Sequence, residues 1–172
     1  MTRPNHIQSQ LDELFGSRRP TRWVTRERPK IDRIACPWLI RRFIDPEAEF
    51  FYVPTPEVRS FAAAREAVPY DIADVEFSHD GERCSFDAFL ATYRLTDPAL
   101  AELALIVRGA DTDRHDLAPQ AAGLAAVSLG LSRLYPDDHA MLAQGMLLYD
   151  ALYLWCKEGK SEVHTWNPNA YR

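Results

Sequence analysis

The stretch RWVTRERPKIDRIACPWLIRRFIDPEAEFFYV, residues 22–53, decides the fold class. Arg22 to Arg26 is β-branched and aromatic enough for a strand, and Glu49 to Val53 is a second, more apolar one. Between them Trp38, Leu39, Ile40, Phe43 and Ile44 recur at helical spacing, so a helix is expected from Pro37 to Ile44. Strand, helix, strand is the order of a parallel crossover, whose helix packs back on the sheet it connects. The expected fold is α/β or α+β, one domain with a small sheet.

Outward from this unit, Thr55-Pro56 opens a helix to about Ala67, because threonine supplies a capping oxygen and proline is preset for the first helical turn. Val75 to Ser78 and Arg83 to Phe86 flank the turn dipeptide Asp80-Gly81 and read as a hairpin. From Phe86 the pattern is helical, with helices to Tyr93, from Asp97-Pro98 to about Gly109, from Pro119 to Leu134 and from Asp137 or Asp138 to Cys156. The expected core includes Trp38, Leu39, Ile40, Phe43, Leu148, Leu152 and Trp155. Residues 1–21 read as a loosely attached helical arm with Ile7, Leu11, Leu14 and Phe15 on one side, residues 22–158 as the domain, and residues 159–172 as a tail.

The 172 residues suit one domain. A hydrophobic content of 47% with 26% charged residues excludes extended disorder. The net charge of −5 opposes nucleic acid and anionic lipid. The longest uncharged run, Leu117 to Ser132, falls short of the ~18 apolar residues of a membrane span. The first 25 residues carry Asp12 and Glu13 and no apolar core of a secretion signal. Three cysteines without a CxxC pair fit a reducing cytoplasm. Glycine-rich nucleotide loops, a GxSxG elbow and an HExxH motif are all missing from the sequence.

Three constellations carry chemistry. The first is positive charge in an acidic protein: Arg26, Arg33, Arg41 and Arg42, with Arg22, Arg28 and Lys30, face only Glu27 and Asp32 between residues 22 and 42. Guanidinium groups fit tetrahedral oxyanions bidentately, although the same residues also serve as a solvated, ion-paired face. Cys36, at the expected helix start, is either a thiolate stabilised by the helix end and Arg33, and so a candidate catalytic group, or a small buried hydrophobe. The second constellation is Glu76, His79 and Cys84 near the expected hairpin, with Asp111 to Asp116 downstream. A divalent metal ion there would contact His79, with Glu76 or Asp111 supplying oxygen. The third is Asp150 inside the most apolar helix; it needs a partner, for which Arg33, Arg41 or Arg42 is the natural choice, or else it lies at the helix's polar edge.

WVTRERPKIDRIACPWLIRRFIDPEAEFFYVP, followed by VEFSHDGERCSFDAFL, IVRGAD and YDALYLW, closely resembles the C-terminal domain family of the ChrB chromate-resistance proteins. The motif from Asp32 to Asp45 is its most specific part. The resemblance implies a role in bacterial chromate resistance, where full-length relatives are chromate-responsive regulators whose N-terminal half is associated with DNA binding. The 21 residues ahead of Arg22 leave no room for a winged helix, so direct DNA contact is not expected. The basic segment, Cys36 and His79 fall inside the matching motifs; His115 does not.

Three functions follow. The first is an accessory or sensor domain binding chromate or sulfate at the expected helix start, held by Arg26, Arg33, Arg41 and Arg42 with Asp32 and Asp150 in support. The second is a metal- or thiol-dependent redox enzyme. The third is a subunit docking through exposed Trp and Tyr side chains. A homodimer is compatible with each.

Overall fold

The computed structural model describes residues 6–16 and 21–162. A parallel sheet is built from β1 (Arg22–Arg26), β2 (Glu49–Val53) and the short β3 (Val68–Pro69), in the order β2-β1-β3. Arg22 lies opposite Glu49, and Trp23 opposite Val68. The crossover from β1 to β2 is α2 (Asp32–Leu39) continued by a π-helical turn, Ile40–Ile44. The return to β3 uses a 3₁₀ turn, Thr55–Glu57, and α3 (Val58–Arg65). The remaining chain is helical: α4 (Ser85–Thr92), α5 (Pro98–Asp111), α6 (Ala121–Leu134) and α7 (Asp138–Leu154), the last extended by a π turn, Trp155–Gly159. No described helix is long and apolar enough to cross a membrane.

Both expected strands of the crossover stand where the sequence put them, but three expectations need correction. The helix begins at Asp32, so Pro37 lies inside it and Cys36 is not its cap. The hairpin is reduced to one bridge, Asp80 with Arg83, because Phe77 instead bridges Tyr70 in parallel beside β3. The N-terminal helix α1 (Ile7–Phe15) is docked, with Ile7 and Leu11 buried and the His6 ring nitrogen 2.7 Å from the Tyr93 carbonyl. Beyond residue 162, the expected tail lies outside the described residues.

The crossover helix is the centre of the core. Trp38 is wholly buried against Phe43, Tyr149 and Tyr153, and Trp23 on β1 against Phe77 and Phe89. Leu148, Leu152 and Trp155 pack on this core from positions only partly buried. Helices α2 and α7 touch at Gly145, where a Cβ atom would collide with Ile34 Cγ2. That contact fixes the start of α2, two residues earlier, within the molecule.

Candidate metal centre

Asp32 is the first residue of α2 and is 1% exposed. Its carboxylate accepts the backbone N–H of Ser85 at 2.7 Å and that of Phe86 at 3.0 Å, the first N–H groups of α4, so it satisfies donors that a helix start leaves open. The residue before it, Ile31, has φ +44°, a conformation that β-branched residues rarely adopt. Its carbonyl is held by the Tyr149 hydroxyl at 3.0 Å.

Three further segments converge on this carboxylate. Asp71 follows β3 in the left-handed region, φ +52°, and accepts Ser85 Oγ at 3.0 Å. His79 comes from the loop before α4, and Asp111 ends α5. The Nε2 of His79 lies 3.1 Å from Asp111 Oδ2, 3.3 Å from Asp71 Oδ1 and 3.5 Å from Asp32 Oδ2. Ligand atoms of Asp32, His79 and Asp111 all fall within 4.8 Å of one another. Two ligands each about 2.1 Å from one cation are separated by roughly 3 Å, so one divalent ion can be served by atoms at these spacings with little movement.

Among the described residues the His79 imidazole is the group within 3.5 Å of all three carboxylates. They push the His79 ring up to about 12, Asp111 contributing most, so it is an imidazolium at neutral pH. Asp32 is raised to about 6, first by burial and then by repulsion from Asp111 and Asp71, against the opposing hydrogen bond from His79. Burial would raise Asp71 as well, but hydrogen bonds from His79, Arg26 and Ser85 hold it low. A cleft of about 400 Å³ reaches the ring, lined by Glu76, His79, Asp80, Arg83 and Asp87 but not by Asp32, Asp71 or Asp111.

Of the residues expected to hold a metal, His79 and Asp111 meet, whereas Glu76 is exposed and outside the group. Asp32, read in the sequence only as a counter-charge, and Asp71, unremarked there, stand where Glu76 was expected. The run Tyr70-Asp71-Ile72-Ala73-Asp74 carries no motif; only the parallel pairing of β3 brings Asp71 to Asp32.

Each of the four arginines has a partner within the protein, although the buried Nε of Arg26 has none. Arg26 Nη2 bonds Asp71 at 2.8 Å, and Arg33 lies 3.4 Å from the same carboxylate while donating to the Glu27 carbonyl. Arg41 donates to the Ala48 carbonyl and lies over the Phe50 ring. Arg42 grips Asp150 through two bonds of 2.8 and 2.6 Å, and Trp38 Nε1 adds a third at 2.8 Å. Asp150 therefore has the arginine partner its position called for, and it ties the π turn to α7.

Cys36 is fully buried with its thiol directed at Asp32 Oδ1, 3.4 Å away. Burial, then the Asp32 charge, pushes that thiol well above its ordinary range, so it stays protonated and a thiolate role is not supported at this position. Trp23 and Trp38 are buried too, so neither offers the exposed indole of the docking reading.

The family described as "ChrB, C-terminal domain" matches residues 23–156. The Protein ChrB of Cupriavidus metallidurans is 37% identical over 132 residues, an alignment that covers 76% of this chain and 39% of that protein. The chain thus spans about two fifths of the length of the curated relative it matches. No solved structure matches it.

Proposed function

The chain belongs to the ChrB C-terminal domain family, and from that premise we propose that it is a metal-dependent domain of chromate resistance, with a divalent cation held by Asp32, His79 and Asp111. The observation that carries the reading is one imidazole nitrogen within 3.5 Å of three carboxylates drawn from three other segments of the chain. One imidazole among carboxylate oxygens suits a hard or borderline ion such as Mn²⁺ or Fe²⁺ better than a thiolate-loving one. When bound, the ion supplies a Lewis-acid centre with coordination positions to spare.

The chain's own residues do the rest. Asp32 is fixed by two N–H donors of α4, so its ligand atom needs no reorganisation. Asp71, held by Arg26, Arg33 and Ser85, stands beside the ion as a charge already balanced. Exchanging the imidazolium proton for a divalent ion and a neutral ring raises the local charge by one unit. With the two arginines counted, the neighbourhood changes from neutral to positive. Oxyanion binding is accordingly proposed at the loaded centre; an oxyanion on Arg26, Arg33 or Arg42 alone would have to displace Asp71 or Asp150.

Calorimetric titration with MnCl₂, followed by molybdate as a redox-inert tetrahedral oxyanion, tests the reading. Binding of one Mn²⁺ per chain is expected, with molybdate bound only by the Mn²⁺-loaded protein. Loss of a group that only supports a ligand typically weakens metal binding about 10–100-fold, so loss of a ligand in Asp111→Asn or His79→Gln should cost at least that, while Glu76→Gln binds as the parent does. Equal Mn²⁺ affinity in all three variants would sink the assignment.

A further inference from the structure

Helix α6, AAGLAAVSLGLSRL, turns Ala121, Leu124, Ala125 and Leu131 to the core and carries a second apolar face outside. Its buried side holds Ala121, Leu124 and the hydroxyls of Ser128 and Ser132, whereas Val127, Leu129 and Leu134 are 47%, 46% and 73% exposed. Ala122, Gly123, Ala126 and Gly130 are exposed as well, and Arg133 is the one charge on that outer face. A Cβ atom at Gly123 or Gly130 would meet nothing within 4 Å, so neither glycine is required by packing within the chain. Each costs a helix about 1 kcal/mol relative to alanine, which water alone does not explain. The same helix packs on α5 and α7 with its other side, and those two helices carry the remaining large exposed leucines, Leu105, Leu147 and Leu154.

We infer that this face is covered by a second copy of the chain, with two α6 helices packed antiparallel about a twofold axis near Val127. Gly123, Val127, Gly130 and Leu134 lie along one stripe at spacings of four, three and four. Val127 is the ridge between two glycine grooves, so an antiparallel copy sets each ridge into the other's groove. Charge selects the direction. Antiparallel packing carries Arg133 toward the copy's amino-terminal end of α6, which is preceded by the exposed carboxylate of Asp113; Asp116 there is already paired with Arg114. Parallel packing would place two Arg133 side chains together. The helix dipoles oppose each other favourably in the same antiparallel arrangement. A face with one cation, on a chain of net charge −5, has nothing to attract an anionic membrane.

Sedimentation equilibrium on the whole chain at about 100 µM should give twice the chain mass, well within the range of specific homodimers. Val127→Glu places a charge at the axis of an apolar interface and should weaken association about 100-fold or more. Because Val127 is already exposed, its circular dichroism should match the parent's. Oxidation should cross-link Val127→Cys to itself and leave Leu134→Cys uncross-linked. A monomer at that concentration, a dimer indifferent to Val127→Glu, or self-cross-linking at Leu134→Cys would each overturn the inference. So would the parent chain associating only with another protein.

Discussion

Asp32 does two things that can be separated by experiment. It is an acceptor for the start of α4 and a candidate ligand, whereas Asp111, 18% exposed, has no such role toward α4. Asp32→Asn keeps the shape but leaves an amide where Ser85 and Phe86 need an acceptor, and part of the amide's own N–H₂ faces buried donors. The cost of such an unsatisfied arrangement is about 1–3 kcal/mol. Asp111→Asn removes one of three like charges around a single imidazolium, so its metal-free stability should change by less than about 1 kcal/mol. Urea denaturation of the metal-free proteins should therefore rank Asp32→Asn well below Asp111→Asn, although both lose Mn²⁺. Equal midpoints would mean that Asp32 is not the anchor of α4.

At the scale of elements, the crossover turns on Pro37. A proline inside a helix has no N–H for the carbonyl four residues back, here that of Arg33. Two hydroxyls replace the missing donor: Tyr52 from β2 at 3.2 Å and Tyr70 from the end of β3 at 3.4 Å. The carbonyl has two lone pairs, so losing one hydroxyl leaves it satisfied. Tyr52→Phe and Tyr70→Phe should each cost about 1 kcal/mol and the double variant clearly more than their sum, a coupling readable from a double-mutant cycle. Additive costs would show that the hydroxyls serve other partners. This compensation also explains what was and was not legible in the sequence. Cys36-Pro37 looked like a helix start because Asp97-Pro98 is one, with Asp97 capping Ala99. What rescues an internal proline comes from two distant strands, and no local pattern reports it. Strands β1 and β2 and helix α7 were legible because their apolar periodicity is internal to each element. The site was half legible: His79 and Asp111 announced themselves as chemistry-bearing residues, but Asp71 acquires its position from strand pairing alone.

For the whole molecule, the centre joins α2, the segment after β3, the loop before α4 and the end of α5, so its protonation should register in global stability. Both raised groups act in one direction. Asp32 contributes while protonated, fully below its ordinary 3.8, and that contribution is lost as pH rises through about 6. His79 contributes fully below its ordinary 6.5 and loses its contribution progressively as pH climbs toward 12. The metal-free protein should therefore become less stable between about pH 6.5 and 8.5, by at most about 1.4 kcal/mol per pH unit for one proton, and by less because the ring is partly exposed to solvent. Mn²⁺ reverses the dependence, since it needs the neutral ring and releases that proton on binding. Stabilisation by a fixed excess of Mn²⁺ should then grow with pH over the same interval. His79→Gln should abolish both slopes. Chemical denaturation at several pH values, with and without MnCl₂, measures all of these, and a metal-free stability that stays flat across the interval would mean that the three carboxylates do not hold the proton on His79.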